Sequence, residues 1–169
     1  SLPGKIEAEN FLKMNGIQTE NCDDTGGGEN IGWVDAGDWL EYHFVVEKSG
    51  LYLFEIRLAG YEDGSFTLLA GENKVGTLTY QKTSGWQNWK TYSTEIYLPN
   101  GEYIFKLEAN YHSVNINWLS FDFMEQSSSI SAVWKKSSPD PLKTKIFPNP
   151  SKGIMNITSE NRRKLHVNV

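Results

Sequence analysis

The sequence predicts an all-β domain, a sandwich of two sheets, followed by a tail of different character. Three observations lead there. Apolar and polar residues alternate with period two through much of residues 5–124, as in strands with one buried face. Turn-forming residues interrupt the alternation at short intervals. No convincing amphipathic helix of ten residues stands out. Many short strands joined by glycine-rich turns are expected to pack as a sandwich.

Strand by strand, residues 39–46 place Leu40, Tyr42, Phe44 and Val46 on one face. After Lys48-Ser49-Gly50, residues 51–58 do the same with Tyr52, Phe54, Ile56 and Leu58. Glu62-Asp63-Gly64 and Ala70-Gly71-Glu72-Asn73 read as turns, and 66–69 and 75–80 as strands. Three further strands are expected at 91–98, 103–109 and 114–123, with Pro99-Asn100-Gly101 turning between the first two. The pattern stops at Gln126. Residues 1–126 form the predicted sandwich, 127–143 a Ser/Pro-rich linker, and 144–169 a short β-like pattern; the tail is expected to be disordered or irregular.

Charge divides the chain at the same place. Residues 1–126 hold 8 Lys/Arg against 19 Asp/Glu, and residues 127–169 hold 8 against 2. An acidic main segment would repel phosphate, so nucleic acid is not an expected partner. The longest apolar runs are far below the roughly 20 residues of a membrane span, so no membrane insertion is expected. Ser1-Leu2-Pro3-Gly4 has no secretory-leader pattern and reads as an interior or processed start. Cys22 is the only cysteine, which rules out an intramolecular disulfide and suits a small buried residue.

Four constellations bear on function. Glu7 and Glu9 are two apart, so on a strand both carboxylates project together, and like charges that close need neutralising. Oxygen ligands suit Ca²⁺, with Asp122 in the last strand as a third; a solvated acidic edge is the alternative. Trp33 and Trp86 fall in expected loops beside glycines, where a ring either stacks on a sugar's C–H face or fills the core. Trp39, Trp89 and Trp118 sit within strands and are expected in the core. Asn115 and Asn117 share parity with the apolar Leu119, Phe121 and Phe123, which would bring them to the rim of the sandwich, able to bond hydroxyl pairs or to cap a loop. Asp35-Ala36-Gly37-Asp38 with Glu41 could suggest glycoside hydrolysis, but the spacing shows no flanking acid–base pair, and Asp-x-Gly-Asp suits a turn. No catalytic residue is assigned.

Together these residues resemble family 6 carbohydrate-binding modules. The resemblance is carried by Ile6-Glu7-Ala8-Glu9-Asn10-Phe11, by Gly16-Ile17-Gln18-Thr19-Glu20, and by the run from Gly26 to Tyr42. Ser84-Gly85-Trp86-Gln87-Asn88-Trp89 and Val114-Asn115-Ile116-Asn117-Trp118 extend it to residues 4–125. It implies a jelly-roll β-sandwich with a structural Ca²⁺ held by Glu7, Glu9, Asp122 and a backbone carbonyl near Glu29. It also implies a carbohydrate site where Trp33 and Trp86 sandwich a ring, Asn115 bonds its hydroxyls and Glu20 lines the cleft. Many members carry Tyr where this chain has Trp33. The tail, through Ile146-Phe147-Pro148-Asn149-Pro150, Gly153 and Asn156-Ile157, resembles the opening of a type IX secretion sorting domain.

The expected function is that of a monomeric, non-catalytic module, secreted or at the cell surface. It would target a covalently linked polysaccharide-degrading enzyme to a β-glucan of the β-1,3-linked, laminarin type. Xylan or an agar-type galactan at the same site is the alternative, and a glycoside hydrolase domain is the alternative from another class.

Overall fold

The computed structural model describes residues 1–111 and 114–125, and the backbone of residues 145–148, 155–158 and 164–166. The linker at 127–143, Trp134 and most of the sorting-domain match lie outside the described residues. The chain divides into two compact units, Ser1–Glu125 and Gln126–Val169.

The first unit contains eleven strands and, among the described residues, no helix. They are β1 (Gly4–Glu7), β2 (Lys13–Asn15), β3 (Gln18–Asn21), β4 (Glu29–Val34), β5 (Trp39–Val46) and β6 (Gly50–Gly60), then β7 (Gly64–Ala70), β8 (Asn73–Tyr80), β9 (Gly85–Leu98), β10 (Gly101–Ala109) and β11 (Val114–Met124). One sheet has the order β3-β4-β11-β6-β9, and the other β2-β5-β10-β7-β8. All ladders are antiparallel. Strand β11 divides one edge between two partners: β4 pairs with its start, at Val114 and Ile116, and β1 with Trp118, Leu119, Ser120 and Phe121. In the second unit, β12 (Lys145–Pro148), β13 (Met155–Thr158) and β14 (Lys164–His166) form an antiparallel ladder of their own.

The expected alternation sets the core. Leu40, Tyr42, Phe44 and Val46 from one sheet and Tyr52, Phe54, Ile56 and Leu58 from the other are all buried. Four phenylalanines tie the sheets together at the centre. Phe121 meets Phe44 edge-on at 4.8 Å and Phe105 at 5.2 Å, and lies 4.9 Å from Phe54 at a tilt. Such tilted and edge-on pairs place ring edges on ring faces and add to the stabilisation from burial alone.

The expected placing in the core holds for Trp89 and needs correction for Trp39 and Trp118. Among the described residues, the main core cluster contains no tryptophan. Trp39 and Trp118 are half-buried on the outward parity of their strands, where Lys106 and Lys5 lie over their rings at 4.9 and 5.0 Å. Each ring is shielded by a lysine stem while the ammonium stays hydrated. Trp89 is buried, but in a satellite cluster with Cys22 and Ala59. A strand's inward side belongs to alternate residues, and in 39–46 Leu40 already claims it.

Replacing Phe121 by Ala should lower stability by about 3–5 kcal/mol, because the cavity opens between two sheets that cannot both close on it. Urea unfolding followed by fluorescence measures this, and a loss below about 1 kcal/mol would contradict the packing described.

Candidate functional site

Two irregularities and one arch build the site. Along β11 the pairing with β6 runs Val114↔Gly60, Asn115↔Ala59, Ile116↔Leu58, then Trp118↔Arg57. Asn117 is therefore the extra residue of a bulge, and a bulge reverses the parity of everything before it. Ile116 faces the core with Leu58, so Asn115 faces the other side with Ala59. The expectation that Asn115 shares the inward parity of Leu119 and Phe121 is corrected accordingly.

Strand β4 carries the matching irregularity. Val114 pairs with Val34 and Ile116 with Ile31, so Gly32 and Trp33 together oppose Asn115. Trp33 takes a left-handed backbone, φ 56°, which a bulky residue rarely adopts. The residue is 54% exposed. Gly32 has a role of its own, since a Cβ there would stand 3.0 Å from Asn115 Oδ1 and 3.5 Å from Glu20 Oε1.

The arch belongs to β9. Gly60 pairs with Gly85 and Leu58 with Lys90, so residues 86–89 stand against Ala59 alone and rise off the sheet. Trp86 lies on this arch, 44% exposed. Both tryptophans thus sit at irregular points within strands rather than in the loops expected of them. The physical reason is that a bulge or arch frees a side chain from the ladder while the ladder continues on either side.

At the centre is a hub of amides around one carboxylate oxygen. Glu20 Oε1 accepts from Asn115 Nδ2 at 2.6 Å, from Asn30 Nδ2 at 3.2 Å and from Gln87 Nε2 at 3.4 Å. Asn115 Nδ2 also donates to the Trp86 carbonyl at 2.9 Å, which ties the arch to β11. Among the described residues, Glu20 Oε2 and Asn115 Oδ1 have no protein donor. What the hub leaves for a ligand is acceptor capacity, which suits hydroxyl donors.

Gln87 is the functional residue that motif reading quoted but left without a role. Its amide nitrogen donates to Asn30 Oδ1 at 3.1 Å, and its oxygen accepts from Asp23 N at 2.8 Å and from Trp89 Nε1 at 3.1 Å. It joins the arch, β4 and the loop after β3. Asp35, which the sequence offers as a turn former or a member of a hydrolytic cluster, lines the cavity as well. The turn is real, with Asp38 Oδ2 accepting from Asp35 N at 2.8 Å. Asp35 nevertheless borders the site.

Together Glu20, Asp35, Gln87 and Asn115 form the polar walls, and Trp33 and Trp86 the aromatic ones, of a cavity of about 460 Å³, with Val34 and Val114 as apolar lining. Among the described residues, no cationic side chain borders it. Apolar surface with a few convergent polar groups is the composition of a small-ligand site.

The loop after β3 is fixed from below. Arg57 donates to Asp24 through Nε and Nη2, both at 2.8 Å, and Asn117 Nδ2 adds a third bond at 2.8 Å. The guanidinium beside Asp24 holds its carboxyl down at about 2. The bulge residue Asn117 therefore turns β11 and also anchors the loop that reaches Gln87.

The acidic residues of the N-terminal segment lie apart from this cavity. Glu9 Oε2 is buried with no partner among the described residues, and Glu9 is held above the usual carboxylate range by burial and by Glu7 and Glu29 nearby. Glu7 also pairs with Lys5 at 2.9 Å. Asp122 is exposed and stands opposite Leu53, whereas Glu7 pairs with Trp118, about 13 Å down the same strand. The register does not bring Asp122 to Glu7 and Glu9. Among the described residues, no three His, Cys, Asp or Glu side chains converge closely enough to hold a metal by themselves.

The family model "Carbohydrate binding module (family 6)" matches residues 7–123. The chain belongs to this family. It is a non-catalytic carbohydrate-binding module. Similar solved modules include CBM6cm-2 of Cellvibrio mixtus lichenase 5A in complex with cellotriose, 36% identical, with a TM-score of 0.70 over 74% of this chain and 100% of that one. The C-terminal module of LamC, a marine laminarinase from Zobellia galactanivorans, is 37% identical, with a TM-score of 0.67 over 70% of this chain and 98% of that one. A β-1,3-glucan-binding module from Bacillus halodurans is 33% identical, with a TM-score of 0.66 over 70% and 95%. Among curated proteins, the clotting factor G alpha subunit of Tachypleus tridentatus is 32% identical over 129 residues, 74% of this chain. The chain spans only 19% of that relative's length.

The Asp24–Arg57 pair gives a signed pH prediction. The Asp24 pKa is depressed from 3.8 to about 2, so its stabilisation is present above 3.8 and is lost as pH falls through about 2. Asp24→Asn should cost about 2 kcal/mol at neutral pH, and the gap from the unsubstituted module should close between pH 4 and 2. Thermal unfolding across that range tests it; a gap independent of pH would assign the stabilisation elsewhere.

Proposed function

We propose that this module binds neutral β-glucans, the β-1,3-linked laminarin type foremost, by holding a sugar ring between Trp33 and Trp86. The observation that carries the reading is the cavity itself: two exposed indoles stand beside a hub whose free atoms are acceptors. A pyranose presents apolar C–H faces to rings and hydroxyl donors at its rim, and both demands are met. Asn115 Oδ1 and Glu20 Oε2 receive hydroxyl protons in this scheme. Among the described residues no cation borders Glu20 and Asp35, which disfavours uronates and sulfated glycans. The glucan preference draws on the modules from lichenase 5A, LamC and Bacillus halodurans.

The rest of the role follows from scale. A module that makes up a small part of a longer relative acts by bringing a linked partner to a surface, and a catalytic domain acting on the same polysaccharide is the partner proposed. Export through the type IX route, supported by the resemblance of residues 144–169, would place it outside the cell.

A structural Ca²⁺ is part of the proposal. The uncompensated Glu9 oxygen, with Glu7 and Glu29 close by, suits a hard cation that takes oxygen ligands, completed by backbone carbonyls or water. Glu7, Glu9 and the backbone at Glu29 would hold it. The ion would supply charge neutralisation for the N-terminal segment and no chemistry in the cavity.

Two measurements test this. Trp86→Ala should weaken binding to laminarin about thirtyfold or more in affinity electrophoresis or calorimetry, with alginate and carrageenan unbound by either protein. Binding that Trp86→Ala leaves unchanged, or stronger binding to the anionic polymers, refutes the reading of the site. Separately, chelator should lower the melting temperature and excess Ca²⁺ restore it, because an ion bound only by the folded state stabilises it. Identical melting curves would remove the ion from the proposal.

A further inference from the structure

Tyr61 follows β6 directly, is 48% exposed and does not line the cavity. Its ring centroid lies 5.1 Å from that of Trp86, with the planes at 74°. The backbone holds the two rings in this relation. Thr83 N and Ser84 N both donate to Gly60 O, at 2.9 and 3.1 Å, and Gly60 N donates to Thr83 Oγ1 at 2.9 Å. Asn88 Nδ2 closes the arch on the Thr83 carbonyl at 2.6 Å. Ser84 turns with φ 66°, a left-handed conformation that directs the chain up into the arch. The residue before Tyr61 and the residues before Trp86 are thus one hydrogen-bonded unit.

An indole standing half in solvent on an arch has several rotamers open to it, and fixing one on binding costs affinity. A ring edge-on to the indole removes that freedom in advance. We propose that Tyr61 is a positioning residue of the carbohydrate site: it acts through Trp86, holding the indole in the plane that faces the cavity. This rests on the reading of Trp86 as a stacking platform.

The test compares Tyr61→Ala, Tyr61→Leu and Tyr61→Phe with Trp86→Ala, using laminaritriose and cellotriose as probes in calorimetry. Tyr61→Ala and Tyr61→Leu should bind roughly 3- to 10-fold more weakly, and Tyr61→Phe within about twofold of the parent, because the ring rather than the hydroxyl does the holding. The near-ultraviolet circular dichroism of the ligand-free protein should lose indole intensity in the Ala and Leu variants and recover it in Phe. Melting temperatures should stay together, since Tyr61 contributes little burial. If Trp86→Ala weakens binding while Tyr61→Ala binds like the parent, Tyr61 is idle and only this proposal falls. If Tyr61→Phe is as weak as Tyr61→Ala, the hydroxyl touches ligand directly and the positioning role is wrong. If neither Trp86→Ala nor Tyr61→Ala changes binding, the stacking site fails and Tyr61 with it.

Discussion

Strand β11 has to satisfy two faces of one sheet at once, and the bulge at Asn117 is how it does so. Beyond the bulge, Leu119 and Phe121 fill the core; before it, Val114 and Ile116 do the same. Were Asn117 part of a regular ladder instead of a bulge, one of these pairs would face solvent. With the bulge, both are buried, and Asn115 is left on the opposite side, beneath the arch of β9. Asn117 is not wasted in the irregularity, because its amide bonds Asp24 and so secures the loop that reaches Gln87. A packing requirement and a binding requirement are met by the same inserted residue.

The site that results is rigid by hydrogen bonding more than by burial. Glu20, Asn30, Gln87 and Asn115 come from four strands, and each constrains the others through one oxygen or amide. Networks of this kind hold side chains in one arrangement, so little ordering remains to be done when a ligand arrives. The aromatic walls are fixed by different means. Trp33 is set by its own backbone at the β4 irregularity, and Trp86 by the arch and by Tyr61. The polar and apolar halves of the cavity are therefore held independently and meet at one covalent unit, since the Trp86 carbonyl accepts from Asn115.

Charge follows the same division of labour. The Asp24–Arg57 pair lies outside the cavity, where its bidentate geometry stabilises a loop. Inside, no cation among the described residues borders the acidic lining, and Glu20 offers an acceptor. The buried, unpartnered oxygen of Glu9 is a third situation, in which neighbouring anions raise one another's cost until something neutralises them.

Much of this was legible in the residues. Alternation marked β5 and β6 almost to their ends, and turn chemistry separated β7 through β11, because a strand's buried face is written in every second side chain. The exposed pair Trp33 and Trp86, with Glu20 and Asn115, was found from motif resemblance. Strand parity, tryptophan placement and the reach of Asp122 were not legible. Each depends on register, and register is set when two strands pair, by which residues oppose which across the ladder. One inserted residue at 117 reverses the face of Asn115, and four residues of offset along β11 carry Asp122 away from Glu7. The sequence by itself determined an all-β sandwich and the residue types of a sugar-binding surface; only the tertiary structure decided which side of the sheet those residues share, because bulges and pairing offsets arise between strands that lie far apart in the chain.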